Sequence, residues 1–150
     1  MDSTSHHGPD AHASVIVARD VQGNVAVLSA RFPQHGGGEY LFLPGGRQEP
    51  GETPEQCARR ELREEAGVTA ETWRHLGTYA ITLHSPARLS LYLAEGLNLG
   101  PQELTDTEVD FKLNWWPLVD AITGAAEGRF LLPGGPLALL LAEREIAQRL

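Results

Sequence analysis

The stretch "GGRQEPGETPEQCARRELREEAGV", residues Gly45 to Val68, holds three carboxylates, Glu61, Glu64 and Glu65, at positions i, i+3 and i+4. On a helix these offsets share one face, where like charges repel by about 0.2–0.5 kcal/mol per pair. The spacing describes either a solvated face, with Arg60 paired to Glu64 one turn on, or a set of hard oxygen ligands for Mg²⁺ or Mn²⁺. Bound cations would cancel the repulsion and reverse the local sign of charge, so that an acidic chain could hold a phosphate.

The helix that must present these groups is well marked. Thr53 is placed to cap it, Pro54 to open it, Gln56 to complete a capping box and Gly67 to end it, which predicts a helix over Pro54–Ala66. Ala58 and Leu62 fall on the neighbouring arc as its core contacts. Cys57 reads as a small packing residue beside the acidic face.

Around the helix the chain alternates strand and helix patterns. Residues 1–13 mix Ser, His, Asp, Gly and Pro without apolar periodicity and read as a mobile tail, leaving 14–150 as one domain. "SVIVARDVQGNVAVLSARF" predicts a hairpin turning at Asp20–Asn24. "EYLFLP" is a strand ended by Pro44, and "WRHLGTYAITL" and "ARLSLYLAEGL" are strands on either side of His84-Ser85-Pro86. "FKLNWWPL" is a further strand, and "LVDAITGAAEG" and "PLALLLAEREIAQRL" are helical. The class is therefore α/β (α+β), with helices around one mixed β-sheet.

Charge and composition narrow the partners. The 150 residues carry a formal net charge of −8 with no isolated Lys/Arg cluster, which argues against a nucleic-acid polymer or a membrane surface as partner. No apolar run approaches the ~20 residues of a membrane span, and the N-terminal residues lack the pattern of a signal peptide. A cytoplasmic protein is expected, and the single cysteine fits a reducing compartment. His6, His7, His12 and His35 lack metal-site spacing and are assigned to the tail or a loop.

The segment closely resembles the signature of the Nudix hydrolases. That pattern is Gly, five residues, Glu, seven residues, Arg-Glu, an aliphatic residue, any residue, Glu-Glu, any residue, Gly and an aliphatic residue. Gly46, Glu52, Arg60, Glu61, Leu62, Glu64, Glu65, Gly67 and Val68 meet all of its nine specified positions. The resemblance implies the family's α/β/α sandwich and Mg²⁺-dependent hydrolysis of a nucleoside diphosphate linked to another group. It also implies Glu61 and Glu65 as principal metal ligands, Glu64 as a third ligand or a group orienting water, and the Gly45 carbonyl as a further ligand. Gly46, Glu52 and Arg60 take structural roles in the motif by the same carry-over. Relatives are often dimers, which raises a homodimer here.

Within that family the chain is most similar to ADP-ribose pyrophosphatases. The loop "LTDTEVDFKLNWWPL" carries Asp106, Glu108 and Asp110, and the resemblance makes Glu108 the candidate base beside Glu64 and Glu65. Pro86 follows the signature, as a proline associated with ADP-ribose-type substrates does in relatives, though at a slightly longer spacing, and His84 and Arg88 beside it are candidates for phosphate or ribose contacts. Trp73, Tyr79, Trp115 and Trp116 could stack on a base or fill the core. As neighbours in a strand, Trp115 and Trp116 must face opposite ways. The nucleotide-containing substrate is ADP-ribose or a related sugar nucleotide on this reading. The alternatives are a nucleoside triphosphate pyrophosphohydrolase and a non-catalytic nucleotide-sensing module.

Overall fold

The computed structural model describes residues 12–149; the rest of the expected tail, residues 1–11, lies outside them together with its His6 and His7. Ala13 already opens β1 (Ala13–Ala18). His12, assigned above to the tail, is tied into the sheet: its carbonyl accepts from the Gln48 N–H at 2.7 Å and its Nδ1 from the Arg88 N–H at 2.9 Å. The chain continues through β2 (Asn24–Arg31), β3 (Glu39–Phe42), β4 (Gly45–Arg47), α1 (Pro54–Ala66), β5 (Val68–Ala80) and β6 (Arg88–Leu99). It closes with β7 (Lys112–Pro117), α2 (Leu118–Ala126) and α3 (Gly134–Ala147).

Local chemistry sets α1 where expected. The Thr53 hydroxyl accepts from the Gln56 N–H at 3.1 Å while the Gln56 side chain accepts from the Thr53 N–H at 2.9 Å, so both capping-box bonds form. Gly67 then takes a left-handed conformation (φ 69°) and stops the helix. Ala58, Leu62 and Ala66 are buried on the face that meets the sheet.

The strands form two sheets rather than one. A four-stranded sheet runs β4-β1-β6-β5, with β1 and β6 parallel and the other pairs antiparallel; a three-stranded antiparallel sheet runs β3-β2-β7. The expected β1–β2 hairpin is thereby corrected. The turn exists, with the Asp20 N–H donating to the Asn24 carbonyl and a single bridge between Arg19 and Val25. Beyond that bridge the strands part, because β1 spends its hydrogen bonds on β6 and β4 while β2 spends its own on β3 and β7.

Alternation along β1 feeds two cores. Ile16 and Ala18 join Ala58, Leu62 and Tyr92 under α1, whereas Val17 joins Leu91, Leu139 and Ala142 under α2 and α3. Helices therefore cover both sides of the strands. Trp73 and Trp115 pack against the first core and Trp116 against the second, so the adjacent tryptophans do face opposite ways.

Candidate active site

Burial of α1 against β1 and β4 carries two of the three helix carboxylates inward: Glu61 is 8% and Glu65 4% exposed. Glu108, from the 3₁₀ turn Asp106–Glu108, joins them, and one oxygen of each of the three lies within 4.8 Å of the others. Desolvation pushes Glu65 up to about 9 and Glu61 up to about 7, with Arg60 pulling Glu61 partly back. The Gly45 N–H donates to Glu65 Oε1 at 2.9 Å, and among the described residues no ion pair reaches Glu65 or Glu108. Uncompensated buried carboxylates and an all-oxygen donor set fit a small hard divalent cation.

The backbone beside these groups comes very close. A side chain at Gly46 would collide with the Glu61 carboxylate, and one at Gly45 with the Ser14 carbonyl across the β1–β4 pairing. Glycine at both positions lets β4 approach β1 and the acidic helix together. The Cys57 thiol, pushed up to about 11 by burial, donates to the Gly46 carbonyl at 3.4 Å and acts as packing.

Glu64 lies outside the three-carboxylate cluster. Arg60 Nη1 donates to its Oε1 at 3.2 Å, as one arm of a brace spread over several groups. Arg60 also grips Glu52 with two bonds, Nε to Oε2 at 2.6 Å and Nη2 to Oε1 at 3.0 Å, and bonds the Arg47 carbonyl at 3.0 Å. This fork holds Glu52 below the usual carboxylate range. It fixes the loop from Arg47 to Glu52 against the helix, with Arg60 Nη1 at 3.6 Å from Glu61 Oε2.

The loop that brings Glu108 is anchored on the same helix. The last turn of α1 has carbonyls without helical partners, and the loop supplies donors to two of them. The Glu103 N–H donates to the Glu64 carbonyl at 2.7 Å and Gln102 Nε2 to the Glu65 carbonyl at 2.8 Å. Thr105 then caps the 3₁₀ turn, and Glu108 Oε1 accepts its N–H at 3.1 Å.

Beside the carboxylates opens a cavity of about 450 Å³, with Glu65, Gly45 and Gly46 along one side. Apart from Ser14 and Arg47 its remaining side chains are apolar, among them Phe32, Phe42, Phe111 and Phe130, with Ile81 and Leu132 more than half out in solvent. Phe42 stands edge-on to Phe111 at 4.8 Å and to Phe32 at 5.5 Å. None of Trp73, Tyr79, Trp115 and Trp116 lines it; Arg59 covers Trp73 and Arg129 covers Trp116. His84, Pro86 and Arg88 are exposed in or just after the β5–β6 turn and do not line it either. The phenylalanines carried no signal in the sequence because they come from scattered segments with no common spacing.

The fold agrees with what the chain is similar to. The family model for the NUDIX domain matches residues 9–132, and the chain belongs to that family. Among its relatives is a protein of Mycobacterium tuberculosis named ADP-ribose pyrophosphatase, 34% identical over 123 residues, covering 79% of this chain and 58% of that protein. Another is the NAD-capped RNA hydrolase NudC of Vibrio cholerae, 30% identical over 149 residues, covering 97% of this chain and 49% of the relative. The chain thus spans only about half the length of these two curated relatives. A solved structure titled as an ADP compounds hydrolase superposes with a TM-score of 0.78 at 20% identity, over 92% of this chain and 74% of that one. That likeness concerns the fold. No helix among the described residues is long and apolar enough to cross a membrane.

Proposed function

We propose that this chain hydrolyses the pyrophosphate bond of a nucleoside diphosphate linked to another group, ADP-ribose or a related sugar nucleotide, releasing a nucleoside monophosphate and a sugar phosphate. The observation that carries the reading is the convergence of buried Glu61 and Glu65 with half-buried Glu108 from a separate segment, without basic partners sufficient to neutralise them. Such an arrangement costs stability unless it serves a ligand. The family membership and the relative named ADP-ribose pyrophosphatase support the substrate class.

In this reading Glu61 and Glu65, with the Gly45 carbonyl, hold Mg²⁺ or Mn²⁺, and Glu64 adds a ligand or orients the attacking water. When bound, the cation supplies shielding of the diphosphate charge and acidification of water. Glu108 accepts the proton that the attacking water loses, from a position set by the Thr105 cap. Arg60 and Glu52 keep α1 and the preceding loop in register, so they position ligands rather than touch substrate.

The test is turnover of ADP-ribose, other dinucleotides, nucleotide sugars, nucleoside triphosphates and NAD-capped RNA with Mg²⁺ or Mn²⁺, with products identified by mass. AMP and ribose 5-phosphate from ADP-ribose are expected. Pyrophosphate released only from triphosphates would replace the substrate while keeping the site. Metal-dependent nucleotide binding without turnover would make the chain a sensing module.

A further inference from the structure

Resting on the reading of the site as a nucleotide pyrophosphohydrolase, we propose that the apolar cavity beside Glu65 takes the substrate's nucleobase by its faces and not by its edges. The enzyme then accepts different bases with little discrimination. Two features of the cavity lead there. Its volume of about 450 Å³ lies within the roughly 300–1,000 Å³ of small-molecule pockets, and it shares Gly45, Gly46 and Glu65 with the carboxylate cluster, so a diphosphate at the acids leaves its attached group at this opening. Phe42 and Phe111 offer ring surface there, and base–aromatic contact is tolerant of sequence because every base has a π-face.

Reading a base requires hydrogen-bonding groups that match its edge. The cavity supplies few from side chains. No Asn, Gln, His, Thr or Tyr is among its walls; Arg47, the one basic residue there, is exposed and can only donate, and the Ser14 hydroxyl is already donating to the Pro54 carbonyl at 2.9 Å. Glu65 is occupied by the Gly45 N–H and its companion carboxylates. The first turn of α3, Gly134 and Gly135, borders the cavity without a side-chain cap. Its N–H groups can only donate, and every base carries acceptors, so they hold a base without distinguishing it.

Two measurements test this independently of the reaction. The first compares kcat/KM for ADP-glucose, GDP-glucose and UDP-glucose with Mg²⁺. A spread within about 100-fold is expected of an apolar pocket, against the 10⁴–10⁵ of a hydrogen-bonding one, so a larger spread overturns the proposal. The second is NMR titration of the metal-free protein with adenosine, guanosine and uridine, which carry no charge for the carboxylates to repel. All three should bind with similar affinity. Phe111→Ala should weaken each of them on the order of 10-fold, raising KM with kcat little changed, and Phe111→Trp should restore binding. Leu132→Trp, at an exposed position, should block all three without unfolding the protein. Nucleosides that do not bind, or that bind unaffected by either substitution, overturn the proposal. Equal nucleoside binding without hydrolysis of any sugar nucleotide would instead remove the assigned reaction and leave the pocket's role standing.

Discussion

The carboxylate side of the site comes almost entirely from one run of chain, Gly45–Glu65, completed by Glu108. The apolar side gathers Phe32, Phe42, Phe111 and Phe130 from four separate places between β2 and α3. Their energetics differ as well. Burying Glu61 and Glu65 beside Glu108 works against folding, whereas burial of Phe130 contributes about 1.5–3 kcal/mol and the half-buried Phe32, Phe42 and Phe111 contribute less. Under the proposed function one side trades stability for chemistry, and the other supplies shape together with part of a core.

That contrast can be broken experimentally. Glu65→Gln should lower kcat on the order of 10³-fold, the loss of several kcal/mol of charge stabilisation, while the metal-free melting temperature holds or rises. A parallel loss of folding, read by calorimetry, would show that the carboxylate is structural and end the comparison. Phe130→Ala should do the reverse, costing about 3–5 kcal/mol in urea denaturation, because this 9%-exposed ring belongs to the core under α2 and α3 as well as to the cavity wall. Glu108→Gln should cost at least about 10²-fold in kcat and remove the limb of the pH–rate profile that a base provides, with stability nearly unchanged.

A smaller effect follows from the raised carboxylates. Because Glu65 and Glu61 titrate near 9 and 7 in the folded metal-free protein, above their unfolded value of 4.5, the native state binds more protons than the unfolded chain. Their contribution to stability is therefore present below pH 4.5 and is lost as pH rises through 7 and 9. Mg²⁺ should raise the melting temperature more at pH 9 than at pH 6, by taking the place of those protons. The smallest change belongs to Arg59→Ala, which removes an exposed pair with Glu55 and the cover over Trp73. It should cost under about 1 kcal/mol and leave kcat/KM unchanged.

What could be read from the sequence divides along the same line. The bounds of α1 rest on Thr53, Pro54, Gln56 and Gly67, whose effects reach only a few residues, and they stand where the spacing put them. The partners of β1 depend on β6, more than seventy residues away, so a good turn at Asp20–Asn24 suggested a hairpin that the sheets divide. Of the two roles open to Trp73, Trp115 and Trp116, stacking on a base or filling the core, the fold takes the second, and the cavity uses phenylalanines that look ordinary in their segments. Asp106, Glu108 and Asp110 were equal as loop acids by composition; the capped 3₁₀ turn brings Glu108 into the cluster.

The bonds from Gln102 and Glu103 to the end of α1 bear on how this protein can be altered by recombination. A loop transplanted from a relative into residues 100–110 would arrive without its matching helix end, and Glu108 would lose its placement even if every residue of the signature stayed intact. The unit of inheritance for this site is therefore the helix terminus together with the loop docked on it, and a chimera that exchanges one has to carry the other.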